Sequence, residues 1–322
     1  MSNSTLVSVV IPCYNAARWV AEAVESCLKQ TYPAVEVIVV DDGSTDDSLE
    51  VLTAYGHSIL IEAGPNRGGN HARNRGFELS RGEYVQFLDA DDYLLPEKLA
   101  HQVQFLEETG ADGVYGDWRH QHHQPDGSYS LGEVVASGEQ DDLLAALLRD
   151  WWVAPVAVLF RREAVSRAGG WDEALSAAQD RDFMLAVVLS GGTIQYQPGC
   201  SSIYRRYGSV TVSTSNTRRW LENHFRVLEK AERRLMGEHR LSDDYRHALA
   251  QSYFSIARNY YDISHSDYQR VMKHVMEIAP GFRPSESRLY GAVQRLLGFS
   301  CAEKLASYKR RVSNQVGTGS RP

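Results

Sequence analysis

Residues 7–48 read VSVVIPCYNAARWVAEAVESCLKQTYPAVEVIVVDDGSTDDS, and the pattern of this stretch decides the fold. Residues 6–11 form a short apolar run closed by Pro12, and residues 35–40 form another; both predict buried strands. Between them Trp19, Val20, Ala23, Val24, Cys27 and Leu28 recur at helical spacing, so residues 16–30 predict an amphipathic helix. Ser44, with Asp47 three residues on, resembles an N-cap opening a helix to about residue 55. Outward from here the alternation continues. Strands are predicted over 58–62, 84–88 and 113–117, and helices over 69–80 and from Pro96 to about residue 108. Strand–helix alternation with short connections implies a mostly parallel, doubly wound α/β sheet.

The rest of the chain changes character twice. Residues 118–215 are less regular, with a turn signal at Gln124-Pro125-Asp126-Gly127, strands near 156–160, 193–197 and 201–207, and helices near 141–148, 163–168 and 181–189. From about residue 216 strands vanish, and helices are expected over 218–236, 243–263, 268–278, 287–297 and 301–312, before a loose tail at 313–322. The charge switches at the same place. Residues 1–217 carry 15 basic and 30 acidic side chains, whereas residues 218–311 carry 18 and 11. The whole chain is acidic, at −7 over 322 residues, which argues against a dedicated nucleic-acid binder. Hydrophobic residues make up 43%, enough for a core, so disordered and disulfide-scaffold classes are excluded. Cys13, Cys27, Cys200 and Cys301 form no closely spaced pair, no apolar run is long enough to cross a bilayer, and the first residues lack a secretory pattern; a cytoplasmic chain is expected.

Ligands of open α/β sheets bind beyond the carboxyl ends of the strands. Three polar clusters fall there: Pro12-Cys13-Tyr14-Asn15, Asp41-Asp42-Gly43-Ser44 and Asp89-Ala90-Asp91-Asp92. Any one could be a capping turn. Their convergence on one sheet edge points to a site. The third is the sharpest, because an apolar strand ending in two acids aims hard oxygen donors into a crevice, and such donors suit Mg²⁺ or Mn²⁺.

Residues 7–48, with NRGGNHARNRGFELSRGEYVQFLDADD at 66–92 and PVAVLFRREAVSRAGGWDEALSAAQDRDFMLAVVLSGG at 155–192, resemble inverting glycosyltransferases of family 2. The likeness spans about residues 6–215. It implies a GT-A fold with a doubly wound mixed sheet over residues 1–215, in which about 1–117 bind the nucleotide and 118–215 the acceptor, followed by a helical region over 216–312. The resemblance further implies a metal-dependent transfer of one sugar, with inversion, from a nucleoside diphosphate sugar, most commonly UDP-linked. The acceptor would be a hydroxyl of a glycan or of a lipid-linked glycan in polysaccharide or lipopolysaccharide synthesis.

By that resemblance Pro12, Tyr14 and Asn15 line the base and ribose site, Asp42 accepts from the base, and Asp41 supports the turn. Asn66, Arg73 and Asn74 precede the acid cluster, with Arg73 reaching the base or phosphates. Asp89 lies near the ribose and is the second metal candidate. Asp91 coordinates the Mn²⁺ or Mg²⁺, and Asp92 is a weaker candidate. Asp180 is the general base, with Asp182 as fallback. On the residues alone, Arg73 could be a surface arginine, and Asp180 could cap the helix over 181–189.

Two departures from the family pattern bear on function. Gln179 stands where the family usually has Glu, and Tyr207 where many relatives have His; Arg205 or Arg206 could supply positive charge to the leaving diphosphate instead. Both departures give some support to the alternative of a non-catalytic nucleotide-sugar sensor or scaffold. A glycine-rich phosphate loop after the first strand is absent, which disfavours nucleotidyltransferase and dehydrogenase readings. The histidines at 120, 122 and 123 read as a solvated loop, exposed strand or hairpin rather than a metal set. Trp151 and Trp152 read as a sugar-stacking face or as core. Asn216-Thr217-Arg218-Arg219-Trp220 only approximates the motif of processive synthases and reads as a helix start. The basic helical region is compatible with peripheral contact at the inner membrane face, and equally with a packed helical subdomain or a homodimer contact.

Overall fold

The structure, a computed structural model, describes residues 4–124, 126–207, 216–284 and 288–317. Two compact units divide the chain: Met1–Leu147 with Trp151–Ser215, and Leu148–Asp150 with Asn216–Pro322.

The first unit is built on β1 (Val7–Cys13), α1 (Val20–Leu28), β2 (Val35–Asp42), α2 (Ser48–Thr53), β3 (Leu60–Gly64), α3 (Gly69–Leu79), β4 (Tyr84–Phe87), β5 (Tyr93–Leu94) and α4 (Lys98–Thr109). It continues through β6 (Gly113–His123), β7 (Tyr129–Val135), α5 (Leu143–Leu148), β8 (Val158–Arg161), α6 (Arg162–Ala168), α7 (Gln179–Leu189) and β9 (Ile194–Arg206). All nine strands join one sheet of order β3-β2-β1-β4-β8-β6-β9-β5, with β7 on β6. The β1–β2, β1–β4, β2–β3 and β6–β9 pairings are parallel. Those of β8 with β4 and β6, of β5 with β9, and of β6 with β7 are antiparallel. The sheet is therefore mixed rather than mostly parallel. Helical crossovers join the strands up to β4, but β8 enters between β4 and β6 running the other way, a pairing that local sequence cannot announce.

The central strand carries the expected chemistry. Val7, Val9, Val10 and Ile11 are fully buried, as a parallel strand covered on both faces requires. Beneath the next turn Lys98 is also fully buried, and its Nζ donates to Gln86 Oε1 and Gln102 Oε1, both at 2.5 Å. Burial pushes its ammonium down to about 7. Gln86 in turn donates to Pro155 O and Gln102 to Ala157 O, so one buried polar chain ties β4 and α4 to the segment leading into β8.

Several local expectations shift. Ser44 does not cap α2; Asp47 occupies that position without a side-chain cap bond, while Ser44 Oγ accepts from the backbone N–H of Asn15. Of the readings offered for the histidines at 120, 122 and 123, the strand of a hairpin is the one found: they sit in β6, where His122 pairs with both neighbouring strands, His120 with β9 and His123 with β7, and the solvated loop is not formed. The hairpin turn forms between Gln124 and Ser128, and Pro125 lies outside the described residues. The two strands expected near 193–197 and 201–207 are one irregularly paired strand, β9, over Ile194–Arg206. Gly208 and Ser209, next to the departures at Arg205–Tyr207, are outside the described residues.

The second unit contains α8 (Thr217–Gly237), α9 (Asp243–Tyr261), α10 (His265–Ile278) and α11 (Arg288–Gly317). Side-chain oxygens of Asn216, Ser242 and Ser264 cap the first three, each satisfying a backbone N–H at a helix start. Asn216 accepting from Arg219 N at 2.9 Å makes the 216–220 stretch a helix start. Leu221, Val227, Leu228, Ala231 and Leu235 give α8 its buried stripe. Glu232 is buried and accepts from the Tyr253 hydroxyl at 2.8 Å, with His274 Nε2 also 2.8 Å away. α11 breaks at Gly298 and stays helical to Gly317; residues 318–322 of the expected loose tail lie outside the described residues.

Candidate active site

The site is assembled at the carboxyl ends of β1, β2 and β4, and the loops there hold one another by backbone and side-chain bonds. Asn15 adopts a left-handed backbone with φ of 50°, and its Oδ1 accepts from Thr45 N at 2.8 Å. The first loop is thereby pinned to the second. Asp42 is buried at the end of β2, and its two oxygens accept from Arg67 N at 2.7 Å and Gly68 N at 2.8 Å. Asp41 Oδ2 accepts from Ser44 N, while its Oδ1 is buried with no partner. Gly43 between them has φ of +74°, and a Cβ there would lie 2.6 Å from Asn66 N. Only glycine allows this turn and this approach. Tyr14 is 52% exposed, Asn66 is exposed and Pro12 is partly buried.

Arg73 is buried on α3 and is no surface residue. Its Nη2 donates to Asp89 Oδ1 at 2.6 Å and its Nη1 to Asn70 Oδ1 at 3.3 Å, while the guanidinium lies 4.7 Å from the Trp171 ring centroid. Asn74 donates to Trp171 O and accepts from Trp171 N, and Asn70 donates to Asp172 O and Leu175 O. One helix face therefore holds both the acid cluster and the 171–175 loop that leads to α7.

Asp89, Asp91 and Asp92 offer carboxylate oxygens within 4.8 Å of one another. Burial, reinforced by the charge of Asp89, pushes Asp91 up to about 6, while a hydrogen bond with Tyr207 acts against the shift. Asp92 is fully buried and also raised, by burial and then by the charges of Asp91 and Asp89. Crowded carboxylates in a hard-oxygen set are what a divalent cation relieves. The donors present fit Mg²⁺ or Mn²⁺, and each carboxyl also has a protein partner: Asp89 pairs with Arg73, Asp91 bonds with Tyr207, and Asp92 Oδ1 accepts from Arg205 N at 2.8 Å.

Arg205 is not free to meet a diphosphate. Its guanidinium is buried and donates to the Asp91 carbonyl, to Gln121 Oε1 at 3.1 Å and to Glu22 Oε2 at 2.5 Å, between the rings of Trp19 and Tyr93. It braces the acid loop instead. Arg206 is exposed, over the Tyr204 ring. Tyr207 packs against Trp19 at 5.2 Å, and burial raises its phenol.

Asp180 is not a helix cap. α7 begins at Gln179, after Ala178 in a left-handed conformation with φ of 59°, so Asp180 lies inside the first turn. It is partly exposed, yet its Oδ1 is out of solvent and has no hydrogen-bond partner. Burial pushes its carboxyl up to about 6, with the Arg73 charge opposing and the Asp89 charge adding. It sits at an apolar pocket lined also by Phe87, Val153, Pro155, Trp171 and Met184. Asp182 is buried on the same helix. Among the described residues three non-glycines have positive φ, and two of them, Asn15 and Ala178, are here. Such strain concentrates at functional sites.

The structure thus brings Asp89, Asp91 and Asp92 together and links them through Arg73 to Asp180. Asp42 stands one loop away, holding the turn before α3. Trp151 and Trp152 pack edge-on against Tyr115 and Trp118. Sequence reasoning passed over Asn70, Trp171 and Glu22. The Gly169-Gly170-Trp171-Asp172 run was the available signal for the second; nothing local marks Glu22, whose partner is 183 residues away.

A mixed sheet with acids at its parallel strand ends, next to a second half bearing a buried carboxylate, is the GT-A architecture of nucleotide-sugar transferases. The family model for glycosyl transferase family 2 matches residues 8–169, and the chain belongs to that family. It is 37% identical over 130 residues to the glycosyltransferase GlyG of Streptococcus pneumoniae, covering 39% of this chain and 43% of that one. It is 33% identical over 189 residues to an uncharacterized glycosyltransferase of Rickettsia typhi, covering 56% and 57%. The chain spans about half the length of the curated relatives it matches. Among solved structures, TarS of S. aureus in complex with UDP-GlcNAc superposes with a TM-score of 0.68 at 18% identity, over 95% of this chain and 92% of that one. The mannosyltransferase PcManGT of Pyrobaculum calidifontis, solved with GDP-Man and Mn²⁺, gives 0.50 at 18%, over 96% and 81%. At these identities the structures speak for the fold. No helix among the described residues is long and apolar enough to cross a membrane.

Proposed function

We propose that this chain transfers one sugar from a nucleoside diphosphate sugar to an acceptor hydroxyl, with inversion at the anomeric carbon, in glycan, polysaccharide or lipopolysaccharide synthesis. The observation that carries the reading is the Asp180 carboxyl, unpartnered at Oδ1 and raised to about 6, set beside the Arg73–Asp89 pair that borders the acid cluster. A carboxyl with that pKa is ionised at neutral pH yet basic enough to draw a proton in the transition state. Asp180 takes the acceptor proton as the acceptor oxygen bonds to the anomeric carbon. The sugar–phosphate C–O bond breaks on the opposite face, and its electron pair leaves with the nucleoside diphosphate. Retention would need a carboxylate poised as nucleophile, and no residue is assigned that role.

Asp91, with Asp89 second, would hold Mn²⁺ or Mg²⁺, which when bound neutralises charge on the departing diphosphate. Arg73 holds Asp89 in place through its Nη2–Oδ1 bond. Tyr14 and Asn15 line the nucleotide, beside Pro12 and Asn66, and Asp42 holds the turn against it. UDP is the first donor to try, followed by dTDP and GDP. The acceptor is a glycan or a lipid-linked glycan hydroxyl. The test is nucleotide release with a panel of nucleotide sugars and Mn²⁺, in wild type and Asp180→Asn. Release that collapses in the variant while nucleotide still binds supports the enzyme. Binding without release from any donor, with or without acceptor extract, supports a sensor instead.

A further inference from the structure

The last helix carries charge and apolar surface that the transfer site does not use. Residues 288–311 hold six basic side chains, Arg288, Arg295, Lys304, Lys309, Arg310 and Arg311, and a single acid, Glu303. That acid is fully buried, where its Oε1 accepts from the Tyr290 hydroxyl at 2.6 Å and lies 2.9 Å from Arg258 Nε. It is therefore not available to balance the segment's positive charge toward solvent. The same helix exposes Leu289 at 58%, Leu296 at 82%, Leu297 at 64%, Leu305 at 50% and Tyr308 at 68%. Arg295 and Lys304 are exposed among them. Gly298, with φ of 80° and ψ of 172°, breaks the helix directly after Leu297, so the two most exposed leucines stand at the end of a helical segment. Single exposed leucines are ordinary, but five large apolar side chains exposed between residues 289 and 308 mark a contact surface.

We infer that this segment docks the chain peripherally on an anionic lipid bilayer. Leu296 and Leu297 enter the headgroup boundary, and Arg295 and Lys304 meet the negative surface. Charge decides for lipid over a second copy of the chain. A two-fold contact centred on this segment would set it against its own copy and oppose two basic segments, whereas an anionic bilayer rewards both the charge and the apolar side chains. The surface is independent of the transfer chemistry and holds whatever the acceptor is.

The test is co-sedimentation of the full chain with vesicles of phosphatidylcholine alone, or with about one-third phosphatidylglycerol, at about 0.1 M and about 0.5 M salt. Partitioning should be at least about tenfold stronger with phosphatidylglycerol at low salt and fall at high salt. Leu296→Ser with Leu297→Ser should weaken it by about tenfold or more, and Arg295→Gln with Lys304→Gln should remove most of the phosphatidylglycerol preference. Both variants should keep the wild-type melting temperature and nucleotide binding, because the altered side chains are exposed. The inference is overturned if the chain ignores phosphatidylglycerol vesicles, or if the leucine variant sediments like wild type. It is equally overturned if that variant only converts a dimer to a monomer in light scattering, which would assign the face to a second copy.

Discussion

Replacing Asp180 by Asn separates the role of the carboxylate from its shape. The carboxyl is raised from 3.8 to about 6 because burial outweighs the neighbouring Arg73 charge. The folded state therefore binds this proton more readily than the unfolded chain does. Stability falls as pH rises from about 4 to about 6 and is level above that. At about 1.4 kcal/mol per unit, the ionised carboxylate costs the fold up to about 3 kcal/mol at pH 8, reduced toward about 1 kcal/mol by its partial exposure. Asn carries no such cost. Asp180→Asn should match wild type in denaturant unfolding at pH 4 and exceed it by about 1–3 kcal/mol at pH 8. Its transfer rate should drop by about 10²–10⁴-fold, the usual worth of a positioned base, while nucleotide affinity changes by less than about twofold. In wild type, kcat/KM should rise through an apparent pKa near 6 and then level off, because the base must be ionised to accept a proton. A variant that keeps a tenth of the activity, or a wild-type profile flat between pH 5 and 8, would refute the assignment.

Other parts of the site make separate predictions. Arg73→Gln removes the positive charge that opposes the rise in Asp180, so the rising limb of the pH profile should move to higher pH; an unmoved limb would detach Arg73 from the base. Asp91→Asn should weaken Mn²⁺ binding by about tenfold or more when followed by electron paramagnetic resonance of the metal alone, since it removes one hard carboxylate ligand of the three. Gly43→Ala meets Asn66 N at 2.6 Å on a backbone with φ of +74° and should cost about 1–3 kcal/mol in denaturant unfolding, with a loss of nucleotide affinity as the Asp42 turn shifts. Ala178→Gly relieves a left-handed alanine and should raise unfolding stability by about 1 kcal/mol; a lowered stability would show that the turn before α7 is not strained.

The first four strands and the helices between them were legible because each is announced locally. Val7–Ile11 is an apolar run broken only by Ser8, α1 has a 3.6-residue stripe, and glycine and acid-rich turns mark the strand ends. The acid cluster at Asp89–Asp92 was legible for the same reason, since a buried strand ending in acids is visible in one dimension. The family resemblance extended that reading to Asp180. The antiparallel insertion of β8 was not legible, because the pattern of a buried strand is the same whichever way it runs.

The sequence by itself determined which residues are apolar, which are charged and where the backbone must turn, and those choices are enough to place acids at the edge of an α/β sheet. Only the tertiary structure decided what the charges do. Arg73 and Arg205 read alike as basic residues near a diphosphate site, yet the fold buries both, pairing Arg73 with Asp89 sixteen residues on and Arg205 with Asp91 and Glu22 more than a hundred residues back. On the residues alone Asp180 could also cap a helix; the left-handed Ala178 places it inside the first turn, at a pocket with Phe87, Trp171 and Met184. The reason is physical: a side chain's propensity is local, but its desolvation and its electrostatic partners depend on what the rest of the chain packs around it.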